Sequence, residues 1–228
     1  MTSRWCPAPI DPVPDPWPQR NLELRTPRLT LRPDDDAGLH ELVTLAHAGI
    51  HPADRMPFRF AWTDADAAYL GRGMLQHFWS ERARLSPERW SLHFLVRVDG
   101  RVAGVQSMTA ERFGVLREVD TGSYLGREYQ GLGFGTEMRA AVLTFAFDVL
   151  GAATARSAHL GDEGASAGVS RRLGYRADGT AVVAARGEPV VEHRLLLRAA
   201  DFARPQWTVQ VTGHTPELAG LLAAAPPA

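Results

Sequence analysis

Apolar positions along this chain follow two periods, and the switches between them lay out its elements. Alternation predicts strands at Leu29 to Arg32, Ser91 to Val98, Arg101 to Glu111, Glu118 to Leu125 and Thr154 to His159, with two more running from Tyr175 to about Arg198. Helical spacing appears at Ala67, Leu70, Met74, Leu75 and Phe78, which predicts a helix from Thr63 to about Arg84. It appears again at Met138, Ala141, Val142, Phe145 and Val149, placing a helix over Thr136 to Leu150. Asp34 to Asp36 offer caps for a helix reaching about Ala48, a loop follows through His51, Pro52 and Pro57, and Ala165 to Leu173 reads as a short helix. Asp99-Gly100 is the best hairpin turn in the sequence. A strand at Trp207 to Val211 and a weak helix at Pro216 to Leu222 complete the pattern, with no purpose evident from it.

The richest stretch joins a strand to a helix through Gln130-Gly131-Leu132-Gly133-Phe134-Gly135. Glycines at alternate positions let the backbone approach a ligand, and the following helix aims unpaired N–H groups and its positive dipole end at the same place. An anion is the natural occupant. The chain contains no lysine, all 25 of its cationic side chains being arginine, which excludes a Walker-type phosphate loop and any lysine Schiff base. A dinucleotide fingerprint also fails: the third glycine comes one place early, and Asp148 falls inside the helix rather than at a strand end.

At 228 residues with 45% hydrophobic content, one domain with a proper core fits best. A net charge of −1 without a basic block argues against nucleic-acid binding. Cys6, the sole cysteine, rules out an internal disulfide and suits a reducing cytoplasm. The first 20 residues hold six prolines and no apolar h-region, so an extended segment is expected rather than a signal peptide, strapped down by Trp5 and Trp17. No run is long and apolar enough to span a membrane.

Gln130-x-x-Gly133-x-Gly135 resembles the coenzyme A pyrophosphate loop of the GCN5-related N-acetyltransferases. Thr136-Glu137 and the later run Ala165-Ser166-Ala167-Gly168-Val169-Ser170-Arg171-Arg172-Leu173-Gly174-Tyr175 resemble the RimJ/RimL-like branch. Asp54 to Phe58 with Trp62-Thr63 is similar to a subgroup associated with succinyl-CoA. The resemblance covers residues 22–198, leaving a proline-rich extension at 1–21 and a tail at 199–228, and it implies an α/β (α+β) fold with a mixed, mostly antiparallel splayed sheet. It further implies an acyl-CoA-dependent N-acyltransferase using acetyl-CoA or succinyl-CoA on an amine-bearing small molecule or protein, with no metal. Homodimerisation is left open, and a non-catalytic acyl-CoA-sensing module is the reading from a different class.

Transfer from a thioester to an amine needs an anchored donor, a deprotonated amine, a home for the oxyanion and a proton for the departing thiolate. By resemblance, Gln130 belongs to the cofactor-binding loop, the amides of Gly131, Leu132, Gly133, Phe134, Gly135 and Thr136 hold the pyrophosphate, and main-chain groups of Tyr124 and Leu125 pair with the pantetheine arm. Asp120 is the first choice of base, because residues 120, 122 and 124 share one face of their strand, and Glu118 on that face is the second. Ser166 matches the family's serine near the donor sulfur, and Tyr175 adds a hydroxyl. Glu163 stands where the family usually has an asparagine contacting pantetheine. Arg55 or Arg59 would read a succinyl carboxylate as a bidentate fork. Trp62, Phe78 and Trp79 are most simply core, with some lining the acceptor groove. His93 and His159 read as strand histidines without a catalytic role, and His40, His47 and His51 lack the spacing of a metal site.

Overall fold

A computed structural model describes residues 13–161 and 164–224. They fold around one nine-stranded sheet whose spatial order is β7-β8-β6-β5-β4-β3-β2-β1-β9. In chain order the strands are β1 (Glu23–Arg25), β2 (Thr30–Pro33), β3 (Arg89–Val98), β4 (Arg101–Glu111), β5 (Glu118–Leu125), β6 (Thr154–Leu160), β7 (Arg176–Ala185), β8 (Glu188–Arg198) and β9 (Gln210–Thr212). The helices are α1 (Asp36–Ala48), α2 (Ala67–Ala83), α3 (Phe113–Leu116), α4 (Phe134–Thr144), α5 (Ala165–Arg172) and α6 (Pro216–Leu221). All neighbouring strands run antiparallel except β5 and β6, which are joined through α4. None of the described helices is long and apolar enough to cross a membrane.

Local chemistry sets the boundaries. Asp35 caps α1 by accepting from the Gly38 N–H at 2.8 Å. Asp99 and Gly100 both adopt positive φ, 49° and 81°, as a two-residue hairpin of the primed type requires. The second predicted helix starts later than its spacing suggests, because Asp66 supplies the cap at Ala67 and Trp62–Asp64 forms a separate 3₁₀ turn. The third predicted helix holds α geometry only to Thr144 and ends in a π turn over Phe145–Val149.

Two apolar clusters lie on opposite faces of the sheet. One gathers Trp90, Leu92, Phe94 and Val96 against α4. The other packs Leu95, Val102 and Val105 beneath α1 and α2. Phe78 belongs to the second, whereas Trp79 departs from the core reading: it is 46% exposed, its indole donating to Asp36. The tail is part of the same body. β9 pairs with β1, Leu218 and Leu222 are fully buried, and the Trp90 indole donates to the Leu222 carbonyl at 2.9 Å.

The feature that positions the site is a split in the sheet. β5 and β6 are hydrogen-bond partners only over Glu118–Asp120 and Thr154–Arg156, after which they diverge. Side chains bridge the apex: the Ser157 hydroxyl donates to the Thr121 carbonyl, and Thr121 Oγ1 donates to the Arg156 carbonyl, both at 3.0 Å.

Candidate functional site

The split opens into a cleft of about 950 Å³. One wall is β5 from Thr121 to Leu125, the other Ala158 to Leu160 with Gly164 to Ser166, and aromatic side chains of the 50–65 segment cover it. The glycine loop borders it through Gln130 and Gly135.

That loop turns main-chain donors toward the start of a helix. Gly131 and Gly133 take left-handed φ of 75° and 84°, and Gly133 precedes α4 with no side-chain cap, so the Phe134 and Gly135 amides keep their hydrogen-bonding capacity while that of Thr136 donates to the Gly133 carbonyl at 3.1 Å. The Gln130 side chain serves as a brace, donating to the carbonyls of Ile50 and Leu125 at 2.6 and 2.8 Å. Phe134 is buried, and Leu132 is exposed at the loop's crest. A residue that pattern alone does not reveal stabilises the turn. Arg28 donates to the Leu132 carbonyl at 3.0 Å, lies 4.6 Å over the Phe134 ring, and pairs with buried Glu137. It is half-exposed, beside the place where phosphate charge would sit.

Strand alternation fixes which main-chain groups face the split. Because the Thr121 carbonyl meets Ser157 and the Gly126 N–H bonds to Ala103 on the β4 side, odd-numbered residues of β5 point toward β6. Ser123 and Leu125 therefore turn their main-chain groups to the split, where the Leu125 carbonyl accepts from Gln130, while those of Tyr124 face β4, away from the main-chain role expected of it. The Tyr124 ring instead forms part of the cover, 5.3 Å from Trp62 and 5.9 Å from Phe58. Its burial pushes the phenol up.

The structure brings Leu125, Gln130, Gly135, Ser166, Arg55, Arg59 and Trp62 to this one cleft. Ser166 lies in the first turn of α5 and is exposed there. Neither Arg55 nor Arg59 forms an ion pair among the described residues. Asp120 and Glu118 stand just outside the lining, beyond Thr121. Glu118 is engaged, accepting from Arg156 Nε at 2.7 Å and from the Thr154 hydroxyl at 3.0 Å. Desolvation raises the Asp120 carboxyl while Arg139 and Arg156 pull it down, and because Asp120 keeps contact with solvent the burial acts on only part of its surface. Tyr175 is buried, its hydroxyl 3.0 Å from Thr121 Oγ1, so it reaches the cleft only through that threonine. Glu163 lies outside the described residues.

His93 matters more than its sequence context suggests. His93, Ser107 and Gly122 form one cross-strand row on the cleft side, and Gly122 leaves open space at its end. The imidazole Nδ1 is 2.8 Å from Ser107 Oγ, and Nε2 is buried with no hydrogen-bond partner. Burial first, then neighbouring His77, lowers the imidazole to about 4, so it is neutral at pH 7. The sign for stability follows: an unfolded histidine protonates near 6.5 and the folded one near 4, so stability present above pH 6.5 is lost as pH falls through that window. The loss should approach roughly 3 kcal/mol, visible as a falling urea midpoint that His93→Gln flattens.

Comparison with known proteins agrees with this geometry. Residues 28–176 match the acetyltransferase (GNAT) domain model. RimJ of Mycobacterium smegmatis, solved with CoA-disulfide, superposes with a TM-score of 0.69 at 19% identity, over 91% of this chain and 95% of that one. RimL, a ribosomal-protein α-N-acetyltransferase solved with coenzyme A, gives 0.60 at 16% identity over 76% and 95%. The microcin C7 self-immunity acetyltransferase MccE, solved with acetyl-CoA and AMP, gives 0.58 at 15% identity over 76% and 93%. A glycine loop at an uncapped helix, bordering a split between two parallel strands, thus sits inside the matched domain, and the chain belongs to the GNAT acetyltransferase family, as an N-acyltransferase with RimJ and RimL among its structural neighbours.

Proposed function

We propose that this protein moves an acetyl group from acetyl-CoA to a primary amine, with the pyrophosphate on the Gly131–Thr136 amides and Arg28 beside it. The pantetheine arm pairs along the open edge of β5 at Ser123 and Leu125. The carrying observation is the loss of β5–β6 pairing beyond Asp120, which leaves a strand edge inside a cleft whose mouth is the phosphate loop. An arm entering from that loop reaches the apex with its thioester end. There an amine approaching from the α2 side meets neutral His93 and Ser107. Asp120 at the rim takes the amine's proton through water, and Ser166 faces the sulfur from the opposite wall. A cytoplasmic setting belongs with this reading.

Incubating the protein with several acyl-CoAs and a panel of amines, followed by mass spectrometry, tests it. A protein that binds CoA yet acylates none of them would be a sensing module instead. Asp120→Asn should depress turnover above the carboxyl's titration and remove the acid limb of the pH–rate profile, since the carboxylate works only when ionised and its raised value moves that limb above the ordinary Asp range.

A second donor is supported by Arg55 and Arg59, which line the cleft without ion-pair partners among the described residues. On this reading succinyl-CoA outcompetes acetyl-CoA, and Arg→Leu at the responsible position costs about 1.5–3 kcal/mol of succinyl transfer alone. Side-by-side kcat/KM for the two donors decides it, and an acetyl preference that neither substitution alters rules it out.

A further inference from the structure

Among the described residues Arg139 is a charge without a paired carboxylate. It projects from α4 under the split and is 2% exposed. Its guanidinium donates only to neutral hydroxyls: Nη2 to Ser123 Oγ at 2.9 Å, and Nη1 to Ser170 Oγ at 3.1 Å and Ser157 Oγ at 3.2 Å. Nε is buried with no hydrogen-bond partner. Asp120 is within electrostatic reach but forms no ion pair with it. Burying a cation this way is costly unless something supplies the opposite charge.

Its placement identifies what that something is. Ser123 is the first residue past the apex whose main chain faces the open edge, and Ser157 is the first residue of β6 beyond the last paired one. Arg139 itself lines the cleft. An arm that enters at the phosphate loop and follows β5 reaches this point with its sulfur. The reaction creates one lasting negative charge: as the amine nitrogen bonds to the acyl carbon, the carbon–sulfur bond breaks, its electron pair stays on sulfur, and the proton lost by nitrogen goes to solvent.

We propose that Arg139 is the cation that receives the departing thiolate, with the Ser123 hydroxyl presented to the sulfur between them. This rests on the coenzyme reading above. Because Ser123 Oγ already accepts from Arg139, its own hydrogen is available to donate, and the adjacent guanidinium makes it a stronger donor. The same device stabilises developing charge in the transition state, where fixed donors are most effective.

The test titrates the thiol of CoA bound to the full-length protein by its thiolate ultraviolet absorbance, alongside binding of desulfo-CoA, which keeps every phosphate and lacks sulfur. In wild type the bound thiol should ionise at least about one unit below the reference value near 8.5. Arg139→Met should abolish that shift and lower kcat roughly 100-fold with little change in donor KM, while desulfo-CoA binds both proteins alike. Arg139→Lys should retain part of the shift. Ser123→Ala, which leaves the guanidinium in place, should reduce it and covers the case in which Arg139→Met fails to fold. A wild-type thiol that titrates as in solution while desulfo-CoA binds overturns the role of Arg139 and leaves the coenzyme site standing. If desulfo-CoA fails to bind wild type, the coenzyme reading falls and the thiolate role with it. An Arg139→Met defect confined to succinyl-CoA, with an unshifted thiol, overturns it as well.

Discussion

Gly135→Asp should weaken coenzyme A binding at least ~100-fold, about 2.7 kcal/mol, with thermal unfolding almost unchanged. A Cβ at this position meets Val169 at 3.5 Å and Leu125 at 4.0 Å, ordinary contacts, and the backbone there is not left-handed, so the fold has room for the residue. An acidic group in the first turn of α4 even suits the helix dipole. The harm falls on the ligand: the carboxylate enters the cleft beside the amides that would hold pyrophosphate, adding repulsion and filling the mouth. Gly133 is the less clean choice, because its φ of 84° strains any side chain and Arg28 lies 3.3 Å from the added carbon, ready to neutralise an Asp. Calorimetry with CoA and a melting curve separate the two effects, and a Gly135→Asp protein that binds CoA like wild type would remove the loop from the site.

The second large effect concerns stability far from the cleft. Leu218→Ala should cost about 2–5 kcal/mol, read as a lower denaturant midpoint at unchanged slope. For a domain of this size each kcal/mol corresponds to about 2–4 °C of Tm. Leu218 and Leu222 are fully buried in the cluster that holds Trp90 and Phe113, and no exposed face is available to absorb the vacancy. The tail does more than cover. The Leu222 carbonyl satisfies the Trp90 indole, a donor that would otherwise be buried without a partner. A loss under 1 kcal/mol would mean that α6 is only loosely seated.

These two residues also mark where sequence reading ends. The strand, glycine loop and helix from Glu118 to Thr144 are legible because their signals are local: period two, then glycine, then period 3.6. The Asp99-Gly100 hairpin and the Asp35 cap are legible for the same reason. β1 is not, since it is three residues long and is held by β2 on one side and β9 on the other, the latter 187 residues away at the Leu24 and Val211 pair, and the predicted strand at Trp207 to Val211 overlaps β9 only at Gln210 and Val211. Arg28 and Glu137 meet across 109 positions. Arg139 reads as a helix-surface cation until the fold places serines from β5, β6 and α5 around it. The motif containing Ser166 and Ser170 fixes neither role: the first faces the cleft and the second is buried against the guanidinium.

The contact between Arg186 and Asp64 has a mechanical side. Arg186, at the turn between β7 and β8, holds both carboxylate oxygens of Asp64 at 2.7 and 2.6 Å and also donates to the Ala53 carbonyl. The aromatic cover of the cleft is thereby tethered to a hairpin 122 residues away by an exposed pair of charges. That pair also draws the Asp64 carboxyl below its ordinary value, so mild acid leaves the tether charged. Dissolved ions act on it directly, since screening at 1 M salt shrinks the reach of exposed charges to about 3 Å. The tether should therefore weaken with ionic strength more than with mild acid, and rising salt should loosen the aromatic cover it holds.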